Sequence, residues 1–262
     1  MKSTETRFDG VIFDVDGVLV ASPHERAWRE ALDELMATEW RGSVGGSTYQ
    51  PGAFTTAIYQ ALVAGKPRMS GALAVLEFFK VPEAALRAVE YADRKQTRLV
   101  QLIEAGEFAA FPDGVRFAMH VDRMGLKLVA ASSSKNARTL LQMIDLADYG
   151  PPTGPDRPTL TLLDLFDADV SGRDLPEGKP NPAIFLLAAA EAGLSPRQCL
   201  VVEDAPSGIL AARAGGMRSV GVARLNDEAL LIDAGADLVV TSLDRVDLDA
   251  LADGRLVSAG GG

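Results

Sequence analysis

Hydrophobic and polar positions along the chain fall into three regimes. The first is short: Val11, Ile12 and Phe13 run consecutively and give way to Asp14, Val15, Asp16 and Gly17. That pattern predicts a strand buried on both faces whose C-terminal end reaches a polar rim. The second regime is helical. Apolar residues recur at helical spacing as Ala27, Trp28, Ala31, Leu32, Leu35 and Met36, then Phe54, Ala57, Ile58, Ala61 and Leu62, then Leu73, Leu76 and Phe79, then Leu86, Val89, Leu99, Val100 and Ile103. Ser22-Pro23-His24-Glu25 has the grammar of a helix start, a serine cap with glutamate three residues later. The third regime follows Phe111-Pro112-Asp113-Gly114, which reads as a turn, and alternates strands with helices. Strands are predicted at 126–131, 165–170, 200–202, 219–222 and 238–241, and helices at 137–144, from 182, at 209–214 and at 228–233. Residues 149–158, rich in glycine and proline, read as a loop.

Strands separated by helices predict an α/β fold, a doubly wound parallel (Rossmann-like) sheet with right-handed crossovers. Residues 1–22 and 108–262 are expected to form this core, and residues 23–107 an all-α cap domain inserted after the first strand.

Composition narrows the partners. The 262 residues are 47% hydrophobic and 24% charged, enough for an ordinary globular core. A formal net charge of -10 argues against nucleic acid, whose phosphates call for a basic surface. Cys199 is the only cysteine, so neither a disulfide framework nor a thiolate metal site is expected. The start of the chain is polar and no apolar run approaches the roughly 18 residues of a membrane span. A cytoplasmic protein without a membrane partner, acting as a monomer, is the expectation.

A parallel sheet delivers every strand's C-terminal end to one side, so the polar residues after each apolar run should converge. Asp14 and Asp16, two apart on a strand, would crowd one space, and both stay ionised most easily around a shared cation. Mg²⁺ suits them, a hard ion that takes oxygen ligands and keeps waters a phosphate can displace. Gly17 then permits a sharp turn and close approach of backbone. After residues 129–131 come Ser132, Ser133, Ser134, Lys135 and Asn136, hydroxyls and amides opening a helix. Lys179 precedes a proline-started helix, and Glu203 and Asp204 form a second acid pair after another apolar run. Each stretch alone has a plainer alternative: a strand-ending turn, a serine-rich helix cap, a solvated lysine.

Together, Asp14-x-Asp16-Gly17-Val18, a strand ending in Ser132, Lys179 in a Gly-Lys-Pro context and Glu203-Asp204 resemble the four motifs of the haloacid dehalogenase superfamily, in order. Within it the chain is similar to β-phosphoglucomutase-like members with a helical cap, through His24-x-x-Ala27-Trp28, Arg94-Lys95, Ser132-x-Ser134-Lys135-Asn136 and Glu203-Asp204-x-x-x-Gly208-Ile209. The resemblance implies Asp14 as nucleophile, Asp16 as general acid and base, and Ser132 and Lys179 on the phosphoryl oxygens. It implies Mg²⁺ held by the Asp14 carboxylate, the Asp16 carbonyl and Asp204, with Glu203 close by. Gly17, Ser133, Ser134, Lys135 and Asn136 are the further candidates for holding substrate phosphate or metal-bound water. In the cap it implies His24 near the acid and base, and Lys66 and Arg68, in the turn that starts at Gly65, for a distal phosphate. His120, on a helix of the core, reads as structural. The chain departs from the subfamily at Ala21, where relatives often carry an acid, at Ser22, in a shorter linker to His24, and in the insertion at 149–158. The implied activity is Mg²⁺-dependent phosphoryl transfer on a small sugar phosphate, interconverting β-glucose 1-phosphate and glucose 6-phosphate. The alternatives are a phosphatase of the same design and a non-catalytic protein that binds a phosphorylated metabolite.

Overall fold

The computed structural model describes residues 7–64, 66–150 and 160–260, so Gly65 and residues 151–158 of the expected loop lie outside the described residues. The strands are β1 (Gly10–Phe13), β2 (Val20–Ala21), β3 (Ala109–Ala110), β4 (Lys127–Ala130), β5 (Ala168–Asp169), β6 (Cys199–Glu203), β7 (Arg218–Val222) and β8 (Leu238–Val240). The α-helices are α1 (His24–Ala37), α2 (Thr56–Leu62), α3 (Arg68–Phe78), α4 (Ala84–Glu104), α5 (Pro112–Arg123), α6 (Ala137–Gln142), α7 (Ala183–Glu191), α8 (Pro206–Ala214), α9 (Glu228–Ala234) and α10 (Leu248–Ala252). The chain divides into two units, Met1–Ala21 with Ala109–Gly262, and Ser22–Phe108.

The first unit carries a six-stranded sheet in the order β5-β4-β1-β6-β7-β8, with every pairing parallel. β1 lies inside it, and Val11, Ile12 and Phe13 are fully buried, as a run without polar alternation requires. Successive side chains point to opposite faces. Ile12 packs with Val129, Val201, Phe185 of α7 and Ala211 of α8. Phe13 meets Phe117 of α5 and Phe166, ring centroids 6.0 and 5.8 Å away, both edge-on. Burying such a side chain stabilises the fold by about 1.5–3 kcal/mol.

Local differences from the sequence reading have physical causes. Phe111-Pro112-Asp113-Gly114 is a helix start rather than a turn, with Pro112 in the first turn of α5 where a missing N–H costs nothing. Gly114 is small because a Cβ there would lie 2.4 Å from the carbonyl oxygen of Val18. The expected strand at 165–170 shortens to Ala168–Asp169, and just before it the chain forms a 3₁₀ turn, Leu162–Leu165, closed by a reciprocal cap between Thr161 and Asp164. α1 begins at His24 with Pro23 in the cap position, and no side chain caps it, so the serine box at Ser22 does not form. The antiparallel pair β2–β3 was not foreseen; it joins the points where the chain leaves for the second unit and returns.

The second unit is helical. Trp28, Leu32 and Leu35 of α1 share one apolar cluster with Val75 and Leu76 of α3 and Ala88, Tyr91 and Ala92 of α4. The Tyr91 ring meets Trp28 edge-on at 4.9 Å and its hydroxyl donates to the Trp28 carbonyl at 2.9 Å. Leu86 and Val89, expected in the buried stripe of α4, are 75% and 53% exposed. Small residues, Ala88 and Ala92, take the packed face beside Tyr91 because they let α4 approach the bulky Trp28 ring of α1. Among the described residues no helix is long and apolar enough to cross a membrane.

Candidate active site

The site grows from the continuation of three paired strands. Phe13 is level with Ala130 on one side and Val202 on the other. Asp14 N–H then donates to the Val202 carbonyl at 3.0 Å, and Ala131 N–H to the Phe13 carbonyl at 2.8 Å. The next residues, Asp14, Ser132 and Glu203, therefore emerge together, and all three are buried. Lys179, also buried, approaches from the loop before α7. Its Nζ donates to Asp14 Oδ1 at 2.5 Å and Glu203 Oε1 at 2.7 Å, and lies 4.8 Å from the Phe185 ring centroid.

The second oxygen of Glu203 accepts from the backbone N–H groups of Asp204 and Ala205, both at 2.9 Å. Gly208, in the first turn of α8, makes room for this carboxylate, since a Cβ there would fall 1.8 Å from Glu203 Oε1. Gly17 does the same for Asp204: a Cβ would fall 1.9 Å from Asp204 Oδ2, and the residue has φ of 85° besides. The Asp204 carboxylate thus rests on the turn that follows Asp16.

Ser132 Oγ donates to Asp16 Oδ2 at 3.2 Å and accepts from Ser134 N–H at 3.1 Å, while Ser134 Oγ accepts from Asn136 N–H at 3.2 Å. Ser132 N–H donates to Ser171 Oγ at 3.2 Å, a partner the sequence offered no signal for. Ser133 and Lys135 are exposed, and Lys135 is ion-paired with Asp174 at 2.7 Å. Asp14, Asp16, Ser132, Ser134, Lys179, Glu203 and Asp204 are therefore linked by direct contacts or by mutual electrostatic effect, whereas Lys135 faces Asp174.

Charge at this rim is unbalanced. Burial pushes the Asp14 carboxyl up to about 7, opposed by Lys179 and reinforced by Glu203 and Asp16. Burial also pushes the Asp204 carboxyl well above the usual range, reinforced by Glu203 and Asp14. Burial alone would lower the Lys179 ammonium, but the charges of Asp14 and Glu203 and its hydrogen bonds to them raise it, so it stays protonated. Among the described residues, the one ammonium of Lys179 stands among the carboxylates of Asp14, Asp16, Glu203 and Asp204. Among the described residues, no group of three or more His, Cys, Asp or Glu side chains is assembled as a set of metal ligands.

The second unit holds the remaining candidates. His24 is the first residue of α1, and its Nδ1 lies 2.8 Å from Nζ of Lys95, which is buried on α4 and 5.2 Å from the Trp28 ring centroid. Lys66 Nζ donates to the Ala61 carbonyl at 3.0 Å, and Arg68, opening α3, is exposed.

The model of the haloacid dehalogenase-like hydrolases matches residues 8–216. A β-phosphoglucomutase of Mycobacterium bovis is 33% identical over 251 residues, covering 88% of this chain and 88% of its own. A fructose-1-phosphate phosphatase of Escherichia coli is 31% identical over 223 residues, covering 82% and 97%. Among solved structures, an archaeal β-phosphoglucomutase from Pyrococcus superposes with a TM-score of 0.65 at 30% identity, over 94% of this chain and 99% of its own. With its family model spanning the strands that carry Asp14, Ser132 and Glu203, this chain is an enzyme of the haloacid dehalogenase-like hydrolase family.

Proposed function

We propose that the enzyme transfers the phosphoryl group of a small sugar phosphate through a phosphorylated Asp14, as a β-phosphoglucomutase-like mutase, with the helical unit Ser22–Phe108 acting as its cap. The observation that carries the reading is Lys179 held between Asp14 and Glu203, beside the Ser132 hydroxyl on Asp16. Lys179 fixes one oxygen of Asp14 and leaves the other to attack phosphorus. As the oxygen–phosphorus bond to Asp14 forms and the bond to the sugar oxygen breaks, Asp16 gives its proton to that oxygen. Asp16 then takes the proton of an accepting hydroxyl, whose oxygen draws the phosphoryl group off Asp14. Lys179 donates to the non-bridging oxygens, as does Ser132 once its hydroxyl proton turns from Asp16 to the phosphate, and Ser134 and Asn136 order that loop. Gly17, Ser133 and Lys135 border the phosphate position.

The residues fit a hard divalent cation. They offer oxygen donors alone, they raise one another's proton affinity, and the Gly17 hollow lets Asp204 reach the turn after Asp16. The Asp14 carboxylate, the Asp16 carbonyl and Asp204 would hold Mg²⁺, a set that needs only two carboxylate side chains. Glu203, with both oxygens engaged by Lys179 and the backbone, contributes its charge from behind that lysine. Mg²⁺ would neutralise the charge of the phosphoryl oxygens and of Asp14 so that the two anions meet.

In the cap, His24 would bind substrate, and Lys66 and Arg68 would grip a second anionic end. A fork of guanidinium donors suits phosphate. That second cationic pair favours the mutase. The likeness to the fructose-1-phosphate phosphatase favours the same chemistry with water as acceptor. The two are told apart by supplying β-glucose 1-phosphate, Mg²⁺ and a trace of glucose 1,6-bisphosphate, and following glucose 6-phosphate and free phosphate. Isomer without free phosphate supports the mutase. Free phosphate moves the assignment to the phosphatase, and neither product removes glucose phosphates as substrates.

A further inference from the structure

Arg224 lies two residues beyond β7, and no sequence motif marks it. Its guanidinium is spent on the turn that follows Asp16. Nε donates to the Gly17 carbonyl at 3.0 Å and Nη2 to the Val18 carbonyl at 3.1 Å. Nη1 donates to Asp113 Oδ2 at 2.8 Å, and the carbon of the guanidinium sits 4.0 Å from the Phe111 ring centroid. Asp113, buried at the start of α5, also accepts from Leu243 N–H at 2.8 Å, so the anchor is itself fixed.

These contacts complete the immobilisation of one short stretch. The Asp16–Gly17 peptide is held by Gly17 N–H donating to the Val20 carbonyl at 2.8 Å. The carbonyls of the next two peptides, those of Gly17 and Val18, each accept from Arg224. Leu19 and Val20 N–H groups return to the Val15 carbonyl, both at 2.9 Å. Asp16 therefore stands on a turn whose peptide planes cannot rotate independently. A lysine in place of the arginine would keep one charge for Asp113 but could not span two successive carbonyls in a planar fork.

We propose that Arg224 is a positioning residue for the proton transfer by Asp16: it orients the Gly17 and Val18 peptides, and through them the Asp16 carboxyl, toward the leaving oxygen. It touches no reacting atom. The proposal rests on the reading of Asp16 as general acid, and it separates from the sugar assignment because it concerns the leaving oxygen of any phosphate monoester.

The test compares leaving groups. Phenyl phosphate departs as a basic phenoxide that needs a proton, whereas p-nitrophenyl phosphate departs as a stable anion that does not. The kcat/KM values of the wild type, Arg224→Lys and Arg224→Ala are measured with both esters and Mg²⁺, alongside thermal melting. The expected result for Arg224→Lys is a loss of at least about tenfold on phenyl phosphate and less than about threefold on p-nitrophenyl phosphate, a contrast a purely structural defect does not produce. Arg224→Ala should widen it, and if that variant does not fold, the lysine variant decides. Equal losses on both esters, or no loss on either, overturn the proposal. If the wild type cleaves aryl esters but no sugar phosphate, the sugar assignment fails while the Arg224 comparison still stands.

Discussion

Lys179 sets the charge balance at the rim: its ammonium bonds both Asp14 and Glu203, and all three groups are buried. Substituting Lys179→Met removes one partner of a buried ionic cluster and leaves the others exposed to each other's charge. That kind of loss costs about 3–5 kcal/mol at neutral pH, to be read from urea denaturation, and turnover should fall by about a hundredfold or more. Gly17 makes an equally specific demand. Its φ of 85° is strained for other residues, and a Cβ would meet the Asp204 carboxylate at 1.9 Å. Gly17→Ala should therefore cost about 1–3 kcal/mol and weaken Mg²⁺ activation, measured as the metal concentration giving half-maximal rate. These residues were legible because their chemistry is local: acids, a serine and a lysine each directly follow an apolar run or precede a helix. Arg224 was not legible. It reaches Asp113 across 111 positions of sequence, and nothing in its neighbourhood marks one arginine among 26 basic residues.

At the scale of elements, the start of α5 is tied to the far end of the sheet through Asp113. Burial would raise this carboxyl, but the hydrogen bond from Arg224 and that from Leu243 N–H hold it below the usual carboxylate range. The folded form therefore keeps the charge to lower pH than the unfolded chain does. The resulting stabilisation is present at neutral pH and disappears as pH falls through that depressed value. Asp113→Asn should thus be less stable than the wild type by about 1.5–3 kcal/mol at pH 7, and the gap measured by chemical denaturation should close below pH of about 4. Elements were legible where burial on both faces leaves an unbroken apolar run, as in β1, β4 and β6. They were misread where small residues or proline carry two meanings. Pro112 and Gly114 signal a turn but begin α5, and Leu86 and Val89 outweigh Ala88 and Ala92 in any hydrophobic stripe although the alanines face the core.

For the whole molecule, an acidic chain with net charge -10 concentrates four carboxylates at one rim. A cation that binds there in the folded state and not in the unfolded one stabilises the fold by about 2.7 kcal/mol at a hundred times its Kd. Mg²⁺ should accordingly raise the melting temperature by several degrees, and chelation should reverse the rise. The parallel order of the sheet was legible from strands alternating with helices, and with it the convergence of residues as distant as Asp14 and Asp204. The central claim is that this convergence makes Asp14 the atom-for-atom acceptor of a phosphoryl group. It is tested most directly by quenching the enzyme with borohydride during turnover and mapping its peptides by mass spectrometry, since an acyl phosphate is reduced to the alcohol while a free carboxylate is not. Mg²⁺-dependent reduction at Asp14 alone is the predicted result. Turnover without reduction at Asp14, or with reduction at another carboxylate, would contradict it.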